Sequence, residues 1–221
     1  MMRYNSICDI IGPIMVGPSS SHTAGAVRIG QLARSIYGGR AEKAEIYFYG
    51  SFAHTYRGHG TDVAIVAGLL GLSTFDNQIP QAMQLAEKVG MEVKISARHE
   101  TPPHPNTARI SLHGALGTLD IVGISIGGGI VNIIEINGFR VQLQGDSPAL
   151  LVMHKDKAGV IAAVTSIFTE YHINISHMEV SRQSRGKSAL MVIETDEALP
   201  NRMKMDIRAL PAAERVIEVR I

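Results

Sequence analysis

The order of hydrophobic periods in the last third of the chain constrains the fold more than any other feature. Apolar patterning predicts strands over 150–154, 173–182, 189–194 and 216–221, and helices over 158–171 and 201–209. In chain order this is strand, helix, strand, strand, helix, strand within about seventy residues, the ferredoxin-like βαββαβ pattern. Ile161, Val164, Phe168 and Tyr171 share one face of the first helix, and Asp156 stands where it would cap that helix. Arg185-Gly186 marks the turn between the two middle strands.

Ahead of this unit, the turn Gly145-Asp146-Ser147-Pro148 predicts a boundary. It divides the 221 residues into domains 1–146 and 147–221. The first domain reads as mixed α/β. Gly17-Pro18-Ser19-Ser20-Ser21-His22-Thr23 is a turn feeding a helix from Ala24, with Val27, Ile29, Leu32, Ala33 and Ile36 at helical spacing and Gly38-Gly39 as its stop. A strand follows over 44–49, then a glycine-punctuated stretch over 50–60 that carries His54 and His59. Thr61-Asp62 is placed to cap a helix with its apolar body over 63–70, and Pro80 suits the first turn of a helix continuing over 81–89. Further strands are expected over 91–97, 108–112, 121–126, 130–136 and 139–143. Asn137-Gly138 joins the last two as a two-residue hairpin.

Composition narrows the function. Apolar residues make up 45% and charged residues 19%, enough to build a hydrophobic core and too apolar for a disordered chain. The formal net charge is +1, so no excess positive field favours nucleic acid. Tryptophan is absent and aromatics are 5%, which argues against base-stacking platforms. No apolar run reaches the ~18 residues of a membrane span. The stretch 1–11 carries Arg3 and Asp9 and lacks a signal peptide's apolar segment, so a cytoplasmic location is expected. The single cysteine, Cys8, rules out an intramolecular disulfide and a zinc site built from cysteine pairs. An iron–sulfur cluster normally takes three or four thiolates, so this chain cannot hold one alone. No H-E-x-x-H spacing is present among the nine histidines, and no metal site is expected within the chain. No phosphate cradle accompanies a lysine, which argues against pyridoxal phosphate.

Two places carry chemistry. The run Ser19, Ser20, Ser21, His22, Thr23 precedes a helix, whose open N–H groups favour an anion, with hydroxyls as directed donors. A substrate carboxylate suits this place, whereas ordinary capping would use one serine. His59 lies between two glycines, where a close-approach backbone can present an imidazole that titrates near neutrality. Read alone, a histidine so placed is more often an ordinary surface or structurally bonded one. His22 and His54 are weaker rivals, His104 is expected to shape a turn, and Asp62 either orients a neighbour or caps its helix.

The C-terminal unit resembles an ACT domain, a small regulatory module that often binds amino acids. The resemblance rests on Asp156-Lys157-Ala158-Gly159-Val160 at the first strand-to-helix turn and on Asn174-Ile175 before the second strand. Ala158 stands where the family usually has proline. The N-terminal motifs resemble the beta chain of iron–sulfur-dependent L-serine dehydratase. They are Gly17-Pro18-Ser19-Ser20-Ser21-His22-Thr23, then Gly50-Ser51 and Gly58-His59-Gly60-Thr61-Asp62, then His104-Pro105-Asn106-Thr107. Together the two resemblances cover essentially the whole chain.

The resemblance implies an N-terminal domain related to a substrate-like binding domain of some phosphoglycerate dehydrogenases. It implies a 4Fe–4S cluster on a separate alpha chain, in agreement with the cysteine count. It implies elimination from L-serine to pyruvate and ammonia, with His59 as general base and Ser19, Ser20, Ser21, His22, Thr23, Thr61 and Asp62 around the substrate. In the ACT unit it implies self-association and a regulatory ligand at Asp156, Gly159, Val160, Asn174 and Ile175. There, N–H groups after Asp156 would hold a carboxylate and Asn174 would bond polar groups. The alternative reading is a non-catalytic amino-acid sensor. A hydrolase built on Ser21 and His22 is disfavoured, because adjacent residues rarely form a nucleophile–base pair and no G-x-S-x-G elbow is present.

Overall fold

The computed structural model describes residues 14–220; Cys8 and the stretch 1–11 lie outside the described residues, as does Ile221 at the end of the expected last strand. Contacts divide the chain into two units, 1–137 and 138–221. The division falls at the Asn137-Gly138 turn, one strand ahead of the turn at 145–148.

In the first unit the serine-rich run forms a single π-helical turn, Ser20–Ala24, which passes directly into α1, Gly25–Tyr37. The expected stripe Val27, Ile29, Leu32, Ala33 and Ile36 is fully buried. Gly38 ends the helix in the left-handed conformation, φ 92°, returning its N–H to Arg34 and Ser35. The chain continues through β1 (Lys43–Tyr49), α2 (Gly50–Thr55), α3 (Thr61–Leu70), a 3₁₀ turn (Ile79–Gln81), α4 (Ala82–Lys88) and β2 (Glu92–Ala97). The strands β3 (Asn106–Gly114), β4 (Gly117–Gly127) and β5 (Ile130–Ile136) complete the unit, and β6 (Phe139–Leu143) follows the hairpin. Within this unit the sheet order is β2-β1-β3-β4-β5. β1 pairs in parallel with β2 and antiparallel with β3, and the hairpins of β3, β4 and β5 are antiparallel. One face is buried with a two-residue period, as Ala44, Ile46 and Phe48 on β1 and Ala108, Ile110 and Leu112 on β3 show.

Helices α1 and α3 cross at two glycines. A Cβ on Gly30 would lie 2.2 Å from the Ile65 carbonyl oxygen, and one on Gly68 would lie 2.0 Å from that of Val27. No side chain fits between these backbones, so the crossing needs glycine on both helices.

The glycine-punctuated stretch over 50–60 holds α2 in its first half. Two local expectations are corrected. Thr61 and Asp62 do not cap α3: the cap residue is Gly60, at φ 64°, and Asp62 Oδ1 accepts the N–H of Val63 at 2.9 Å. β4 runs past the expected 121–126 at both ends, because its register with β3 continues to the Gly114–Gly117 pair. The hairpin is as expected, with Asn137 at φ 49° and Gly138 at φ 81°.

The second unit contains β6, β7 (Ala149–Lys155), α5 (Val160–Glu170), β8 (Ile175–Arg182), β9 (Ser188–Thr195), α6 (Asn201–Arg208) and β10 (Ala213–Val219). The four strands pair antiparallel in the order β10-β7-β9-β8. This is the ferredoxin-like arrangement expected from the period order. Leu150, Val152, Val164, Phe168, Met191, Ile193, Met203 and Ile207 form its core. Two details differ from expectation. Ile161 is 47% exposed, and Val160 and Ile167 take the core stripe with Val164 and Phe168, because 160, 164, 167 and 168 share a face that 161 misses by one residue's rotation. Asp156 does not cap α5: the cap residue is Gly159 at φ 88°, and the Asp156 carboxylate is engaged elsewhere.

Candidate active site

The π-helical turn, the start of α2 and the loop after it bring their polar side chains together. Ser19 Oγ accepts the N–H of His22 at 3.1 Å, which satisfies one open donor of the turn. The hydroxyls of Ser19 and Ser21 lie 3.3 Å apart, and Ser21 Oγ lies 3.0 Å from His22 Nδ1. The other ring nitrogen, Nε2, lies 2.9 Å from Ser51 Oγ in the first turn of α2. The first closed backbone bond of the π-helical turn is the Thr23 N–H to the Ser19 carbonyl, 2.8 Å, so the N–H groups of Ser20 and Ser21 belong to its open end.

His59 joins this cluster from the loop. Its ring meets that of His22 edge to face, with centroids 4.8 Å apart at 63°, and Phe52 contacts His22 at 5.2 Å and 68°. Thr23 Oγ1 donates to the His59 carbonyl at 3.1 Å, and the His59 N–H donates to the Thr55 carbonyl at 3.0 Å. The backbone of His59 is therefore held from two sides. Its Nδ1 is buried and has no protein partner. Thr61 Oγ1 and Ser125 Oγ are likewise buried without a partner. Burial, and after it the neighbouring His59, holds the His22 imidazole below the ordinary histidine range, so His22 stays neutral.

The start of α2 is anchored by backbone geometry. Gly50 sits at φ 54°, and a Cβ there would lie 2.5 Å from the Pro105 carbonyl oxygen. The Ser51 N–H donates to that same carbonyl at 2.7 Å. His104 Nδ1 accepts the N–H of Asn106 at 3.1 Å, so His104 shapes the turn, as expected. Asn106 Nδ2 reaches the Ser125 carbonyl at 3.3 Å. Three separate sequence motifs thus converge through side-chain and backbone contacts.

Of the residues named from sequence, Ser19, Ser21, His22, Thr23 and His59 come together. Ser20 contributes its carbonyl to the N–H of Gly25. Thr61 lies at the start of α3, and the Asp62 carboxylate is spent on its own helix. His54 is exposed on α2, away from the role of a buried base. The sequence does not mark Ser51 or Ser125 individually: Gly50-Ser51 stands out only as a motif, and a lone serine in a strand pattern carries no signal.

In the second unit, Asp156 Oδ2 accepts the N–H of Gly186 at 2.9 Å and lies 3.5 Å from Arg182 Nη1. The Gly186 N–H, with Arg182 adding to it, holds the carboxyl below the usual range. Asp156 therefore closes the β8–β9 turn onto the β7–α5 loop. Gly159 is needed for its positive φ and not for packing, since nothing lies within 4 Å of a Cβ there. Asn174 Nδ2 donates to Asp196 at 3.1 Å, Val160 is buried at the first turn of α5, and Ile175 begins β8 half-buried.

No group of three or more His, Cys, Asp or Glu side chains among the described residues could hold a metal ion, and no helix among them is long and apolar enough to cross a membrane.

Comparison with known proteins bears on both units. Residues 6–135 match the family model described as serine dehydratase beta chain, and residues 149–212 match the ACT domain. The chain is 49% identical over 218 residues to a Bacillus subtilis protein named probable L-serine dehydratase, beta chain, covering 99% of both chains. It is 35% identical over 208 residues to the L-serine dehydratase beta chain of Peptoniphilus asaccharolyticus, covering 93% of this chain and 94% of the other. A D-3-phosphoglycerate dehydrogenase of Synechocystis is 22% identical over 184 residues, 82% of this chain and 33% of the enzyme. That match agrees with the expected relation to such dehydrogenases. With both domain models in order and near-complete coverage of two relatives, this chain belongs to the serine dehydratase beta chain family and ends in an ACT domain.

Proposed function

We propose that this chain is the beta subunit of a cytoplasmic L-serine dehydratase that, with a separate alpha chain, converts L-serine to pyruvate and ammonia. The observation that carries the reading is the 49% identity across 99% of both chains to a protein named for that role. A non-catalytic sensor is not favoured, because both relatives matched end to end bear the name of an enzyme chain.

The open N–H groups of the turn and the Ser20 hydroxyl take the substrate carboxylate, while the hydroxyls of Ser19, Ser21 and Thr23 hold the turn against His22 and His59. His59 Nδ1, buried and unengaged, accepts the Cα proton. His22 does not compete for that proton, since both its nitrogens are engaged and burial keeps it neutral. Loss of the Cα proton and the hydroxyl gives an enamine, which becomes an imine and is hydrolysed to pyruvate and ammonia.

Hydroxide is a poor leaving group and needs a Lewis acid. One cysteine does not make a cluster cradle, so the donor set of this chain does not fit a 4Fe–4S group. We assign the cluster to the alpha chain, where it would supply that Lewis acid. The ACT unit supplies self-association and a regulatory amino-acid site at the loop of Asp156, Gly159, Val160, Asn174 and Ile175. The test is to mix this chain anaerobically with its alpha chain and assay pyruvate from L-serine. Pyruvate formation that requires both chains supports the reading, and its absence from a cluster-loaded mixture overturns it.

A further inference from the structure

Both ring nitrogens of His22 lie against hydroxyls, and their arrangement favours one direction for the bonds. Ser19 Oγ accepts the backbone N–H of His22, so its own proton is available to Ser21 Oγ, 3.3 Å away. The Ser21 proton is then available to His22 Nδ1 at 3.0 Å. A neutral imidazole has one donor and one acceptor, so with Nδ1 accepting, Nε2 carries the proton and donates to Ser51 Oγ at 2.9 Å. Ser19 Oγ also lies 3.4 Å from Nδ1, so two hydroxyls converge on that nitrogen, as they do on an acceptor. Ser51 is well suited as the fixed end of the chain. Its N–H is tied to Pro105, and its carbonyl accepts from Thr55 Oγ1 at 2.7 Å. His22 in turn lies between Phe52 and His59, touching both rings edge on.

We propose that Ser51 is a positioning residue: its hydroxyl holds His22 in the Nε2–H form, and the ring of His22, so held, keeps the ring of His59 in its working orientation. The inference rests on the reading of His59 as the base. Without the Ser51 hydroxyl the Nε2–H loses its acceptor, and the ring turns to find one or carries its proton on Nδ1, facing Ser21. Because His59 packs against that ring, it would move with it. A displacement near 1 Å at a reacting group costs up to about 10²-fold in rate.

The test has two arms. In the full chain with ¹⁵N-labelled histidine, imidazole nitrogen shifts report the tautomer of His22 directly. Wild type is expected to show the Nε2–H form, Ser51→Ala to show appearance of the Nδ1–H form, and Ser51→Thr to restore the wild-type pattern. In the assembled enzyme, Ser51→Ala is expected to lower kcat by roughly ten- to a hundredfold with little change in KM, and Ser51→Thr to recover most of it. Ser51→Cys keeps the side-chain size, weakens the bond and should fall between, which keeps the test open if the alanine variant folds poorly. An unchanged His22 tautomer in Ser51→Ala or Ser51→Cys, or wild-type kcat in either, overturns the proposal. The first arm needs no alpha chain, so it decides the tautomer clamp even if the assembled protein fails to deaminate serine.

Discussion

His59 and His22 are neighbours with opposite accounts of their nitrogens, and this difference separates their roles. His22 has a partner at each nitrogen, whereas His59 keeps a buried Nδ1 unengaged. Substituting His59 by Asn should therefore lower kcat by about 10²–10⁴-fold, the usual cost of a lost general base. Binding of the alpha chain should persist, which co-purification and steady-state kinetics would establish together. Near-normal turnover with intact assembly would remove His59 from the mechanism. His22 also contributes to the pH dependence of stability. Its value in the folded chain lies below the unfolded one, so its contribution is complete above the ordinary histidine range and is lost as pH falls through the lower, folded value. Wild type should lose stability relative to His22→Gln over that acid interval, as measured by denaturant unfolding at several pH values.

Among the elements, the α1–α3 crossing tolerates least. Gly68→Ala would drive a methyl to 2.0 Å from the Val27 carbonyl oxygen and 2.8 Å from the Gln31 nitrogen, both backbone atoms. Overpacking of this kind costs typically 1–3 kcal/mol or more, here roughly that much by analogy with other cores. Thermal or denaturant unfolding would measure it, and a change within experimental error would contradict the close crossing. In the ACT unit, the Asp156–Gly186 bond ties two loops together. The Asp156 carboxyl is held low in the folded chain, so its stabilisation is present above the usual carboxylate range and is lost as pH falls through the folded value. Asp156→Asn should differ from wild type in stability at neutral pH, and the difference should vanish in acid. The same substitution should weaken any heat of L-serine binding to the full chain, if the loop after Asp156 is the regulatory site.

At the scale of the whole molecule, the expectation is division of labour between two chains. The purified chain should hold no stoichiometric 4Fe–4S cluster and should not deaminate L-serine. Iron analysis, visible absorption and a pyruvate assay would check this, and a stable cluster in the isolated chain would overturn the two-chain reading. The cysteine count carried that expectation without any structure, because ligand number is a matter of composition. Periodicity likewise determined the existence and order of most elements: the buried stripe of α1, the Asn137-Gly138 hairpin and the βαββαβ order all follow from local spacing and turn chemistry. Short elements and caps escaped it. The helix α2 is six residues long and begins with Gly-Ser, too short for a period to register. Asp156 and Thr61-Asp62 have the right chemistry for capping, yet a glycine at positive φ takes the position in both helices. Only the tertiary structure decided that Ser51 faces His22, that His59 packs on the same ring, and that Asp156 reaches across to Gly186. These contacts join residues about thirty apart or more in the chain. Local propensity carries no information about such pairs, because they form when separate elements pack and their polar atoms must find partners out of water.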